Sequence, residues 1–238
     1  MNLYLSVAIL LAISITVVLG MLLEKYLFIP IKKRNISSMS LMIVSLGVYI
    51  VLQNCVSIVW GDLSLSIRSF AIQPGYNLLG GHISLLQAIS SCVLVGICLI
   101  INTIIRHSKI GLNIRAVSEN LELSNIVGIN SNKTTLWACG IGTFLAAIVG
   151  ILYALDTDMT PTMGFNLLLY GVVAMIIGGV GKTKGIVGGS LLLASVQHLS
   201  AYYIGSEWMN AVAYIILILF LLYRPLGFSG LRLKKTEL

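Results

Sequence analysis

Seven apolar runs separated by polar gaps leave this chain one environment in which to fold. They cover roughly residues 3–23, 38–60, 82–105, 135–155, 165–180, 184–203 and 208–223. Most hold the ~20 residues that an α-helix needs to cross ~30 Å of hydrocarbon. The sequence is 58% hydrophobic and only 10% charged. A water-soluble chain of 238 residues has no means of burying that much apolar surface. The runs at 165–180 and 208–223 are short for a span and are expected to tilt less, to break locally or to be extended by flanking aromatics. The first run has no basic segment before it and no small-residue cleavage site after it, so it reads as a span rather than a secretory signal.

The basic residues then orient the spans. Of fifteen Lys and Arg, fourteen fall in alternate gaps. Lys25, Lys32, Lys33 and Arg34 follow the first run, and Arg106, Lys109, Arg115 and Lys133 follow the third. Lys182 and Lys184 follow the fifth, and Arg224, Arg232, Lys234 and Lys235 form the tail. The remaining gaps hold Arg68 alone. Short loops rich in Lys and Arg stay cytoplasmic. The expected fold is therefore an all-α membrane bundle of about seven spans, one domain over 1–238, with its N-terminus outside and its C-terminus in the cytoplasm. Acidic residues divide four and four between the two sides, as expected of groups that contribute little to this rule. Trp60, Trp137 and Trp208 lie at predicted span ends, at the depth that amphipathic rings prefer.

The net charge of +7 is accounted for by topology, which argues against nucleic acid as a partner. Cys55, Cys92, Cys98 and Cys139 sit inside apolar runs and form no CxxC, so they read as small buried hydrophobes. The outer segment 61–81 carries the alternating stretch Leu63-Ser64-Leu65-Ser66-Ile67, which suits either a short hairpin or an irregular loop. Gly142, Ala146 and Gly150 repeat at four-residue spacing in the fourth run, as do Gly181, Gly185 and Gly189 where the fifth turns into the sixth. Both rows predict close helix packing.

The inner segment 106–134 carries the strongest pattern. Ile110, Ile114, Val117 and Leu121 recur at helical spacing, with Arg115, Glu119 and Glu122 on another face, where Arg115 and Glu119 can pair. Gly128 is expected to end this helix, and Asn130-Ser131-Asn132 to cap the next span. An amphipathic helix over about 110–128 results. It lies on the membrane surface or docks a protein; its short face of mixed charge makes a poor lipid anchor.

Catalytic chemistry finds no place. Gly178-Gly179-Val180-Gly181-Lys182-Thr183 looks like a phosphate-binding loop, but Ile176 stands where the motif needs its first Gly, and the segment joins two spans. The glycines read instead as a tight inner turn. His82, His107 and His198 are isolated in sequence, and no HExxH, GxSxG or metal-ligand spacing occurs, so neither metal nor cofactor is expected. Asp156 and Asp158 sit at an outer span end. The polar residues within spans are amides: Gln53, Asn54, Gln87, Asn102 and Gln197. Such groups face the bundle interior, where they bridge helices or line a solute path. No acidic residue is expected at mid-membrane, which argues against a proton- or sodium-driven carrier.

Several segments together resemble a known family, the permease subunits of ABC importers for branched-chain amino acids, with urea and amide permeases as relatives. Leu23-Glu24-Lys25 through Ile29-Pro30-Ile31-Lys32 resembles the family's Glu-Arg-x-x-x-Arg-Pro-x-Arg segment, and Leu52-Gln53-Asn54 its Leu-Gln-Asn. Residues 111–120 followed by Val127-Gly128-Ile129-Asn130 are similar to its inner loop. Thr160-Pro161-Thr162-Met163-Gly164-Phe165, Ile177-Gly178-Gly179-Val180-Gly181 and the ending Tyr223-Arg224-Pro225-Leu226-Gly227-Phe228 are similar to later family segments. The inner loop and the Gly-Gly-x-Gly turn in this order are specific. Ser124 stands where the family often has Ala, and a tolerated exchange is expected. Family members also carry a helical N-terminal region with an Asn-Phe-Ala-His-Gly stretch before the point where this chain begins, which implies a shortened form, a mis-assigned start or a non-functional fragment.

The resemblance implies that the helix at 110–128 is a coupling helix docking on a cytoplasmic ATPase subunit. Ile114, Val117 and Leu121 would pack it, Arg115, Glu119 and Asn120 would make polar contacts, and Ala116 and Gly128 complete the segment. Gln53, Asn54, Gln87 and Gln197 are the path candidates. The implied partners are ATP-hydrolysing subunits, a second related or identical permease, and an extracytoplasmic solute-binding protein at the outer loops 61–81 and 156–166, all at a bacterial inner membrane. The alternatives are a passive channel or self-powered carrier and, less well suited to these residues, a membrane enzyme.

Overall fold

A computed structural model describes residues 2–34, 36–66, 76–78, 81–179, 181, 183–224 and 227. Each of the seven apolar runs forms a helix. The first, α1 (Asn2–Leu23), continues through a π-helical turn (Glu24–Phe28) into a short α2 (Ile29–Lys32). Pro30 lies in the first turn of α2. It lacks the N–H that a regular helix would donate backwards, and the winding widens immediately before it. Helix α3 (Ser38–Trp60) starts where the Ser37 hydroxyl accepts a hydrogen bond from the Ser40 N–H (3.3 Å), and stops at Gly61 with φ +84°.

Two short strands follow, β1 (Tyr76–Leu78) and β2 (Gly81–Ile83), antiparallel with Asn77 opposite His82. The described part of the alternating stretch, residues 63–66, is not part of this hairpin. Within it, Leu65 pairs with Met159 instead, through Leu65 N–H to the Met159 carbonyl (3.0 Å) and Met159 N–H to the Leu65 carbonyl (2.8 Å). Pairing in this loop thus reaches a segment distant in sequence, which local alternation cannot reveal. Ile67, Arg68, Pro74, Gly75 and Gly80 lie outside the described residues.

Helix α4 (Leu85–His107) opens on a capping box between Ser84 and Gln87. Two short helices, α5 (Lys109–Glu119) and α6 (Leu121–Ile126), lead to the long α7 (Ser131–Asp156). The chain to Pro161 forms one compact unit. Within it, α7 packs along α1. A Cβ at Gly20 would overlap the Thr143 side chain, Met21 covers Gly140, and the Cys139 thiol donates to the Gly20 carbonyl (3.7 Å). Thr134, Ala147 and Ala154 are buried along α7. The expected packing row Gly142–Ala146–Gly150 is not the one used here: Gly142 and Ala146 are exposed, and a Cβ at Gly142 or Gly150 would meet open space. Small residues at four-residue spacing mark a face without stating which face meets a neighbour, and here the contact lies on the Gly140–Thr143–Ala147 side.

The second unit, from Thr162, contains α8 (Met163–Gly178), α9 (Thr183–Tyr203), a 3-10 turn (Ser206–Trp208) and α10 (Met209–Tyr223). Val173, Ala174, Ile177, Leu193 and Ala213 form its core. Gly178 and Gly189 let α8 and α9 approach backbone to backbone: a Cβ at Gly178 would overlap the Gly185 carbonyl, and one at Gly189 the Ala174 carbonyl. Of the expected second row, Gly185 and Gly189 serve this contact, while Gly181 faces open space. Gly179 (φ +90°) and Gly181 (φ +98°) form the turn between these helices, a conformation that glycine adopts without strain. Val180 and Lys182 lie outside the described residues, as do Arg232, Lys234 and Lys235 of the tail.

Among the described residues, five helical segments are long and apolar enough to cross a membrane: Ser6–Lys32, Met39–Trp60, Leu85–His107, Ser131–Asp156 and Ser206–Tyr223. Met163–Gly178 is apolar but shorter. Helix α9 spans 21 residues, and Gln197, His198 and three serines dilute its apolar character.

Candidate functional site

The segment between α4 and α7 is built to fold back tightly. Ser108 breaks the helix and caps α5, its hydroxyl accepting from the Gly111 N–H (3.0 Å). Gly111 is buried, and the Ile105 backbone occupies the space a Cβ would need. Only a glycine permits that approach. Helix α5 consequently rests on α4 and α7, leaving Ile114, Ala116 and Val117 half-buried within the unit itself. Arg115 does not pair with Glu119. Its guanidinium donates to the Arg106 carbonyl (3.3 Å) near the end of α4, where the helix dipole favours a cation. Glu119 and Glu122 are both exposed.

The single helix expected over 110–128 is two helices. Asn120 is extended (φ −153°, ψ 110°) and ends α5. Its side-chain oxygen then accepts from the Leu123 N–H (3.0 Å) and caps α6. Asn competes with a helix by bonding to nearby backbone, which suits it to this joint. Leu121 therefore belongs to α6 rather than extending the face of Ile110, Ile114 and Val117. The break turns an apolar set outward that periodicity did not single out. Leu121 is 54% exposed, Leu123 60%, Ile126 80% and Val127 74%. Their irregular spacing was the available signal, since residues that fit no single face had to point elsewhere.

The end of α6 matches expectation. Gly128 takes φ +91°, with Ile129 N–H bonding to the Ser124 carbonyl (2.9 Å) and Gly128 N–H to the Asn125 carbonyl (3.1 Å). This is a Schellman closure. Ser124 is buried, and its hydroxyl donates to the Asn120 carbonyl (2.7 Å), so a polar atom at that place is satisfied. The Asn130 side chain caps α7 by accepting from the Lys133 N–H (3.1 Å).

The amides are differently placed. Gln53, Asn102 and Gln197 are half-buried. Asn54 is exposed and donates back to the Ile50 carbonyl of its own helix (2.7 Å). Gln87 is exposed and sits at the start of α4, where its side-chain oxygen accepts from the Ser84 N–H (3.3 Å). Gln87 thus takes part in a helix cap. In the second unit, Tyr170 of α8 donates to Asn210 of α10.

One charged pair was not foreseen. Glu24, expected in a polar gap, is buried in the π turn, and Lys32 donates to it at 2.8 Å. The sequence signal was a Glu eight residues before a Lys with a proline between them.

Five described helical segments long and apolar enough to cross a membrane point to a multi-pass membrane protein. The chain belongs to the family described as branched-chain amino acid transport system / permease component, whose model matches residues 1–221. It is similar to the high-affinity branched-chain amino acid transport system permease protein LivH of Salmonella typhimurium, with 29% identity over 224 residues, covering 92% of this chain and 72% of that protein. It is equally similar to BraD of Pseudomonas aeruginosa, a permease protein of the same description, at 29% over 226 residues with the same coverage. A probable branched-chain amino acid transport permease protein of Methanocaldococcus jannaschii is 26% identical over 222 residues, covering 87% of this chain and 69% of that protein. No solved structure matches the chain.

Proposed function

We propose that this chain is the membrane-spanning subunit of an ATP-driven importer for branched-chain amino acids or a similar small solute. The observation that carries this reading is the family match over nearly the whole chain. The placement of Lys and Arg supports seven spans, α8 and α9 included, with the N-terminus outside and the C-terminus in the cytoplasm of a bacterial inner membrane. The segment 109–128 is then cytoplasmic. Ile114, Arg115, Ala116 and Val117 hold it to its own bundle. Glu119, Asn120, Leu121 and the exposed apolar residues of α6 meet a separate ATPase subunit, and Gly128 fixes the joint to α7. Exposed apolar residues rimmed by charge suit a protein partner. A second permease, related or identical, completes the assembly, and a solute-binding protein docks at the outer loops. The half-buried amides Gln53 and Gln197 are path candidates, with Asn54 and Gln87 at its margins. This subunit's work is translocation, with hydrolysis performed by its partner.

Co-purification with candidate ATPase subunits tests the reading. Wild type retains the ATPase, and Glu119→Lys releases it with unchanged helical content. Solute flux through the purified chain alone in liposomes overturns the reading and favours a passive channel or self-powered carrier.

A further inference from the structure

The buried Glu24 pairs with the exposed Lys32 across a π turn. Glu24 has a side chain only 8% exposed, against 44% for Lys32. A carboxylate held that far from water is costly unless it is paired, and pairs retained under such cost serve best as register devices or switches. Among the described residues this is the ion pair present. Its geometry depends on the winding. Eight residues of regular α-helix make about two and a quarter turns, which leaves the ends about 80° apart around the axis. A π turn takes more residues per turn and reduces that offset. The wide turn at Glu24–Phe28 therefore brings the two charges to one side, and the ion pair in turn holds the turn wide.

The device is also connected. The π turn packs on α7. One helical turn before Glu24, Gly20 lies against Thr143 and accepts from Cys139, both on α7. Helix α7 starts at Ser131, directly after the Gly128 joint of the folded-back segment. A displacement of that segment reaches the π turn through one rigid helix. Pro30, just beyond, weakens the helix at the place where a change of winding is easiest.

We propose that Glu24 and Lys32 are positioning residues, a clasp that sets the winding of the α1 end and couples it to α7 during transport. The proposal rests on the reading of this chain as an ATP-driven permease. With the clasp closed, the turn is π-wound. With it open, the turn relaxes towards regular α winding, the already exposed Lys32 becomes fully hydrated, and the segment beyond rotates relative to α1.

Two measurements test this. In the first, spin labels at positions 18 and 33 of the purified chain report the distance across the turn without any partner. Glu24→Gln removes the charge at constant shape and leaves Lys32 solvated, so the fold survives; a shifted or broadened distance distribution is expected. A distribution identical to that of wild type overturns the clasp. In the second, the whole transporter in proteoliposomes gives leucine moved per ATP hydrolysed. Glu24→Gln and Lys32→Met are each expected to lower this ratio at least fivefold, the double variant no further than either single one, and Lys32→Arg to preserve it. An unchanged ratio, or single losses that multiply in the double variant, overturns the coupling role. Failure of the wild-type chain to bind any ATPase would count against the proposed function, and the spin-label result would stand apart from it.

Discussion

The Ser131 hydroxyl donates to the side-chain oxygen of Asn125 at 2.7 Å, across the turn that separates α6 from α7. Together with the Schellman closure at Gly128, it fixes α6 to the start of α7. Without these bonds the short helix α6 would hang from a flexible loop.

The first prediction concerns this joint. Gly128 has φ +91°, where an L side chain is strained. Gly128→Ala is expected to cost about 1–2 kcal/mol and to loosen α6. Thermal unfolding in detergent should show a lower midpoint, and proteolysis should cut first between 120 and 130. An unchanged midpoint and cleavage pattern would mean that the joint is not rigid.

The outward apolar set of α6 leads to a second expectation. Leu123→Asp and Ile126→Asp touch exposed positions, so each should change stability by no more than about 0.5 kcal/mol. Each should nonetheless abolish retention of the ATPase subunit on a pull-down column. Full retention would move the contact elsewhere on the inner face.

The glycines of the two units should respond unequally. Gly189→Val drives a side chain into the Ala174 carbonyl, and a loss of about 1–3 kcal/mol is expected, seen as a lower melting point of the purified chain. Gly142→Val meets open space and should be neutral in the same assay. Equal effects would contradict the packing described for these helices.

Orientation is testable by cysteine labelling. In a chain freed of Cys55, Cys92, Cys98 and Cys139, new cysteines at Ser118 and Asp158 should lie on opposite sides of the membrane. A membrane-impermeant maleimide applied to intact cells should modify Asp158→Cys and leave Ser118→Cys untouched. The reverse pattern would invert the topology.

The helices were legible because hydrophobic run length alone predicts them, and each of the seven runs is helical within a few residues of its expected limits. The caps at Gly128 and Asn130 were legible for the same local reason, since their chemistry acts within a few residues. What escaped depended on neighbours. Asn120 is tolerated inside many helices, and its role as a break emerges only when α5 is held against α4 and α7. The burial of Glu24 requires α7, which lies more than a hundred residues away. The contact face of α7 is not legible locally, because Gly142 and Gly140 offer equally small residues two positions apart and only Gly140 meets a neighbour.

The Leu65–Met159 pairing has one more implication. It pins the far end of α7 to the loop after α3, while Asn130 and the Gly128 turn secure the near end. At 1.5 Å per residue, the shaft between these two moorings is roughly 39 Å long. A rod tethered at both tips pivots more readily than it slides. A push on the Gly128 end of that rod is therefore expected to arrive at its Met159 end as a tilt rather than as a translation.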